Sequence, residues 1–137
     1  MTTWTSDEIN KMGTAEELQI ASLRSDGTLR NPVTIWVVRH GDDLYVRSIN
    51  GRSAAWLRGT QVRHDGHIEA GVVDKDVTFV DADPGINDQI DAAYRTKYRR
   101  YAASIINHIV SAAARSTTMK LVPLQQAVGC KTSGKQR

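Results

Sequence analysis

Between Leu44 and His64 the chain carries Arg47, Arg52, Arg58 and Arg63 and not one carboxylate. A guanidinium stays charged and its fork of donors matches phosphate oxygens, so this acid-free stretch suits recognition of an anion. Arg47 and Ser48 close a β-rich run, Gly51 lets a ligand approach the backbone, and a short helix is expected from Ser53, its free N–H groups pointing outward. That helix end is worth only about 0.3–1 kcal/mol to an anion, which leaves most of the attraction to the arginines. A second reading stays open, in which the same arginines pair with the carboxylates of residues 65–91.

Tyr94, Lys97, Tyr98 and Tyr101 follow i, i+3, i+4, i+7 spacing and so share one helix face. Such a face can bind a flat polar ligand, close a dimer, or simply pack on the rest of the domain. His64, Asp65, His67 and Glu69 are the only cluster of metal-ligating types, but their spacing straddles an expected Asp-Gly turn, and no metal site is expected. His40 in a turn and His108 in a helix suggest no catalytic base. Gly51-Arg52-Ser53-Ala54-Ala55 superficially resembles a nucleophile elbow, yet the chain lacks the repeated βα units that hold such a serine, and Ser53 reads as a helix cap. No dinucleotide-binding glycine fingerprint, phosphate-binding P-loop or His-Glu-x-x-His zinc motif occurs.

Short strand-forming runs must position these residues. Leu18–Arg24, Val33–Arg39 and Leu44–Ser48 are bounded by Ser25-Asp26-Gly27 and His40-Gly41-Asp42-Asp43 and read as a three-stranded meander. His67–Val73 and Val77–Asp81 read as a hairpin turning at Asp74-Lys75-Asp76, and Thr118–Val122 as a last strand before Pro123. Helices are expected at Ser6–Met12 with Ser6 as cap, at Ser53–Arg58, from Ile86 to Tyr101, and over Ile105 to Ala113. Trp36 is expected to pack on a face of the meander and Trp56 to plug its helix into it. Six strands interrupted by helices, without regular βαβ alternation, predict an α+β fold built on a small, partly closed barrel.

At 137 residues, 40% apolar and 24% charged, the chain suits a single domain over residues 1–126 with a basic, mobile tail at 127–137. The net charge of +3 belongs to that tail, which holds Lys131, Lys135 and Arg137 and no acid. All fifteen carboxylates lie at or before Asp91, so the two ends of the chain are oppositely charged and folding is expected to cancel much of the asymmetry. Nucleic acid is therefore not an expected partner. No run reaches the roughly 20 apolar residues of a membrane span and no signal-peptide core is visible, which predicts a cytoplasmic protein without a membrane partner. A lone Cys130 excludes an internal disulfide.

Ile35-Trp36-Val37-Val38, Leu44-Tyr45-Val46-Arg47-Ser48, Gly51, Trp56-Leu57-Arg58, Asp76-Val77 and Ala93-Tyr94-Arg95-Thr96-Lys97-Tyr98 together resemble an uncharacterised bacterial family, domain of unknown function 2255, over roughly Trp4 to Pro123. More distantly, the strand, glycine turn and tryptophan-bearing helix resemble flavin-binding split barrels, including pyridoxine-phosphate oxidase relatives and deazaflavin-dependent nitroreductases. The resemblance implies a six-stranded split β-barrel flanked by helices and assembled as a homodimer. It further implies a small-molecule ligand, with FMN or a deazaflavin along the barrel and oxidoreductase chemistry supplied by that cofactor. By the same resemblance the cofactor's phosphate is held at Arg47, Ser48, Gly51, Arg52, Ser53 and Arg58. The alternative is a non-catalytic ligand-binding or dimeric scaffold protein that keeps the barrel, with Tyr94, Lys97, Tyr98 and Tyr101 serving a ligand or the dimer.

Overall fold

The strand-forming runs become seven strands rather than six, because one of them changes partners partway along. A computed structural model describes residues 4–24, 26–70 and 73–124. Its strands are β1 (Leu18–Ser22), β2 (Val33–Ile35), β3 (Val37–His40), β4 (Asp43–Val46), β5 (Asp65–Ala70), β6 (Val73–Asp81) and β7 (Met119–Pro123). Its helices are α1 (Ser6–Thr14), α2 (Ala55–Val62), α3 (Asn87–Lys97), α4 (Ala103–Ile109) and α5 (Ala112–Arg115). Every strand pair is antiparallel, in the order β2-β1-β5-β6-β7-β4-β3. The two outermost strands, β2 and β3, are consecutive in the chain and separated by Trp36 alone. The sheet therefore curls until its edges almost meet, giving an α+β split barrel with one seam.

The expected single strand Val33–Arg39 is thus divided at Trp36. Its pleat continues unbroken, since Ile35 and Val37 both pack on the barrel interior while Val38 packs outward under α3. Only the hydrogen-bonding partner changes, from β1 on one side of Trp36 to β4 on the other. The expected meander fails for the same reason. The interior is filled by residues such as Leu18, Ile20, Val37, Val46, Ile68, Val77, Phe79 and Leu121, closed at one end by Trp4, Ile9 and Met12. A second apolar layer, outside the barrel, joins Val38 and Tyr45 to Ile90, Tyr94, Tyr98, Ile106 and Ile109.

Other boundaries shift for local reasons. Asp74-Lys75-Asp76 is no turn: it lies within β6, opposite Glu69, Ile68 and His67. Lys75 shares the inward parity of Val73 and Val77, and its amine meets Glu8 of α1 at 2.7 Å, while Asp74 and Asp76 point outward and both bond the His67 ring. Asp65-Gly66 likewise opens β5 instead of preceding it, and a Cβ on Gly66 would meet the Phe79 ring at 2.7 Å and the Ala21 carbonyl closer still. Thr5, not Ser6, caps α1, its hydroxyl accepting from Glu8 N at 3.1 Å while the Glu8 carboxylate accepts from Thr5 N at 3.0 Å. α3 ends at Lys97, short of Tyr101, and the stretch from Ile105 to Ala113 divides into α4 and α5, with Ser111 capping the latter. Among the described residues no helix is long and apolar enough to cross a membrane. The domain boundary at residue 126, the basic tail and Cys130 lie outside the described residues.

Candidate functional site

Arg47 stands one residue beyond β4, and its side chain is completely buried. Nε donates to Thr118 Oγ1 at 2.9 Å, and Nη1 donates to Asp91 Oδ1 at 2.5 Å and to the Ile109 carbonyl at 3.1 Å. Nη2 donates to the Asn87 carbonyl at 3.1 Å and to Asn87 Oδ1 at 3.3 Å. A guanidinium has five N–H donors, and all five are engaged inside the protein, leaving none for an external phosphate. Its carbon lies 5.4 Å from the centroid of the Tyr94 ring, so the cation is also packed on an aromatic face. Arg47 ties the end of β4 to α3, α4 and the approach to β7.

The rest of the corner divides into framework and exposed groups. Ser48 is buried, its N–H donating to Thr117 Oγ1 at 2.9 Å and its hydroxyl to the Gly51 carbonyl at 2.7 Å. Gly51 closes this turn with φ of +65°, a conformation that side chains disfavour, and a Cβ there would crowd Ala113 at 3.1 Å. Ser53 is not the helix cap expected of it: its hydroxyl donates to the Asn50 carbonyl at 2.8 Å, within a single 3₁₀ turn over Gly51–Ser53. The residue at the cap of α2 is Ala54, which has no side-chain acceptor, so the first N–H groups of α2 are uncapped by side chains. Arg52 is exposed and makes one side-chain hydrogen bond among the described residues, to the Ser116 carbonyl at 2.7 Å. Arg58, also exposed, makes one to the Ser53 carbonyl at 2.5 Å. Both retain free donors.

The uncapped end of α2 opens onto a recess of about 300 Å³ at the barrel seam. Val33, Ile35, Trp36, Ile49, Ala54 and Trp56 form its apolar walls, with Thr34, Ser48 and Asn50 as polar edges. Val33 and Ile49 remain 36% and 45% exposed, which makes the rim both open and apolar. Wider recesses of about 390–580 Å³ occur elsewhere, but among the described residues none of these brings two indoles and a helix start together. Trp36 and Trp56, expected only to pack, do so and also wall the recess. Thr34, Ile49 and Asn50 carry no chemical signal of their own; the trace they leave is an apolar residue, Ile49, inside a turn that ends in glycine.

The tyrosine face is largely internal. Tyr94 and Tyr98 are buried in the outer apolar layer, and Tyr98 stacks on Trp36 with centroids 3.9 Å apart and planes 3° from parallel. Its hydroxyl accepts from Val37 N–H at 3.2 Å and donates to the Glu16 carbonyl at 2.6 Å. Tyr101 meets Trp36 edge-on and remains partly exposed, as does Lys97, whose amine donates to the Val37 carbonyl at 2.6 Å. Of the four residues expected to face a ligand or a second subunit, only Tyr101 and Lys97 therefore reach the surface.

Burial lowers the Lys97 amine to a pKa of about 8, against an opposing pull from Glu16, and burial raises the Tyr94 and Tyr98 hydroxyls above their ordinary range. Between pH 8 and the unfolded lysine value near 10.5, the unfolded chain holds a proton that the native state has released, so stability rises with pH. Above about pH 10 the unfolded tyrosines ionise while the native pair stays protonated, and stability falls. Urea midpoints measured from pH 7 to 11 are expected to pass through a maximum on the alkaline side, and Lys97→Met is expected to abolish the rising limb.

The solved structures that resemble this chain share its barrel. The heme storage protein HutZ from Vibrio cholerae superposes with a TM-score of 0.62 at 18% identity, covering 88% of this chain and 90% of that one. An F420 reductase gives 0.54 at 13% identity over 86% and 92%, and an FAD-binding protein from Mesorhizobium loti gives 0.50 at 16% identity over 91% and 92%. At these identities the likeness is one of fold. No curated protein matches the sequence. The family model described as "Uncharacterized protein conserved in bacteria (DUF2255)" matches residues 8–121, and the chain belongs to that family.

Proposed function

We propose that the seam recess binds the ring of a flavin or deazaflavin, and that the protein is a homodimeric oxidoreductase using it. The observation that carries this reading is the recess itself, where two indoles and aliphatic walls suited to a flat ring adjoin the uncapped start of α2. The cofactor's phosphate is assigned to those helix N–H groups together with Arg52 and Arg58, which keep free donors beside the corner although they do not line the recess. Ser48, Gly51 and Ser53 hold the corner in shape, and Arg47 lines the recess with its own donors spent. Among the described residues no histidine, cysteine, methionine or tyrosine lines the recess, which favours a flavin over a heme needing an axial ligand. Two fold neighbours are named an F420 reductase and an FAD-binding protein, in line with this choice. When bound, the flavin supplies the hydride or single-electron chemistry. The chain's residues exclude water from the ring and orient it.

The test is incubation with FMN, FAD or deazaflavin, desalting, and an absorption spectrum alongside tryptophan fluorescence. A retained band with quenched Trp36 and Trp56 emission is expected for at least one of the three. Arg52→Ala and Arg58→Ala are each expected to weaken binding about 10- to 150-fold, the equivalent of a charged hydrogen bond worth about 1.5–3 kcal/mol, with the urea midpoint unchanged. A colourless protein that retains none of them overturns the reading. It would leave the second one, a dimeric scaffold, which the exposed Val33 and Ile49 on the rim favour, since a second copy could cover them.

A further inference from the structure

We propose that Lys97 is a self-acylation site, its amine taking the acyl group from a small acyl phosphate seated in the cationic recess beside it. Lys97 lies in the last turn of α3, where Thr96, Lys97, Arg99 and Arg100 line a recess of about 390 Å³. Lys97 and Thr96 also line a second groove of about 470 Å³ with Gly13, Val38, Arg39 and Ala93, so the residue borders both a place for the phosphate and a place for the acyl chain. Two other lysines differ from it: the exposed Lys11 is ion-paired with Asp7 at 3.0 Å and the half-buried Lys75 with Glu8 at 2.7 Å. Among the described residues Lys97 has no carboxylate within ion-pairing distance and bonds only the Val37 carbonyl, at 2.6 Å.

That bond uses one N–H and leaves the nitrogen lone pair free when the amine is neutral. Burial shifts the group toward the neutral form, so a useful fraction is nucleophilic near pH 8. In the recess, Arg100 is engaged by Glu16 and by the Tyr101 face, whereas Arg99 has only a 3.4 Å contact with the Thr96 carbonyl in its own turn. Two guanidinium groups against the one Glu16 carboxylate leave the recess positive, as a phosphate dianion requires.

The lone pair of Nζ attacks the acyl carbonyl carbon, forming the N–C bond. The C–O bond to phosphate breaks with its electron pair, and inorganic phosphate departs with the proton lost from nitrogen. No oxidant or reductant enters. The product is a neutral amide with one N–H left for the Val37 carbonyl. Val37 adjoins Trp36, so the modification would change charge and bulk directly behind the seam.

The probe is acetyl phosphate added to the full chain, with acetylation followed at each lysine by peptide mass mapping. Lys97 is expected to react at least tenfold faster than Lys11 or Lys75 at pH 8. The rate should climb with pH through the titration of Lys97, whose amine lies 5.3 Å from the centroid of the Tyr98 ring, within an environment that includes Glu16, Arg39, His40, Arg99 and Arg100. Arg99→Ala, an exposed change, and added inorganic phosphate should each cut the Lys97 rate severalfold, while an uncharged acetyl ester should be insensitive to both. Equal rates at the three lysines would overturn the proposal. So would a fast Lys97 that ignores both Arg99→Ala and phosphate, because the recess would then play no part.

Discussion

Arg47→Ala is expected to destabilise the protein by about 3–5 kcal/mol, the cost of breaking a buried ion pair by removing one partner. The loss is a large share of the roughly 5–15 kcal/mol that holds a domain together, so the variant should be partly unfolded at 37 °C. The substitution strands Asp91 Oδ1, takes a donor from the Ile109 and Asn87 carbonyls, and leaves a cavity beside Tyr94, while Asn87 Oδ1 keeps its bond from Thr118 Oγ1 at 2.8 Å. Arg115, 3.4 Å from the other Asp91 oxygen, cannot replace it, because it is directed mainly at Asp88. Arg47→Met fills the volume yet leaves the same acceptors unpaired and should also be severely destabilised. Arg47→Lys keeps the charge but loses the fork, and should fall between Met and wild type. Urea midpoints order the series. The decisive comparison is ligand affinity per folded molecule in Arg47→Lys: a direct phosphate ligand would lose affinity out of proportion to stability, whereas a brace should lose stability first.

What could be read from the sequence divides along physical lines. Alternating apolar runs revealed the strands, and the i, i+3, i+4 spacing revealed α3, because both patterns record a buried face independent of what covers it. Strand partners are a property of closure. Trp36 offered no breaker, and the extended run through it passes from β1 to β4 without any change in its pleat. Asp74-Lys75-Asp76 resembled a turn because charge usually marks solvent. Here the lysine reaches an acid on α1 and the aspartates grip His67, so the period-two pattern survives in polar residues.

The arginine-rich corner was visible, but its division of labour was not. The overlooked sign was Asp91: at i−3 and i−7 from Tyr94 and Tyr98, it sits on the buried face of α3 and requires a cation inside the protein. Arg47 is that cation, and the reading that paired the arginines with carboxylates of residues 65–91 holds for it. Arg52 and Arg58 meet only backbone carbonyls among the described residues and keep free donors. Ser53 lost its cap role because the 3₁₀ turn after Asn50 delays the helix, a detail of backbone geometry with no signature in residue type.

Tyr98→Ala is expected to cost about 3–5 kcal/mol through loss of a buried aromatic side chain, and Tyr98→Phe about 1–3 kcal/mol through loss of its hydroxyl alone. The ring lies flat against Trp36 and the hydroxyl bridges Val37 N–H to the Glu16 carbonyl, so one side chain holds the seam, β3 and the segment after α1 in register. The phenylalanine variant preserves the stack but leaves the Val37 amide without its acceptor, which isolates the polar share. A dimer face at Tyr94 and Tyr98 would give the opposite result: a shift toward monomer on a sizing column with an intact unfolding midpoint. Because both rings are buried within one subunit, Tyr94→Ala and Tyr98→Ala should lower the midpoint at every protein concentration. Tyr101→Ala is the contrasting case, since its ring touches Trp36 only edge-on and retains exposed surface. A change in association state without comparable loss of stability is expected there if this side of the barrel meets a second copy, and an unchanged elution volume would rule this side out as a subunit interface, with the exposed Val33 and Ile49 as the next surface to mutate.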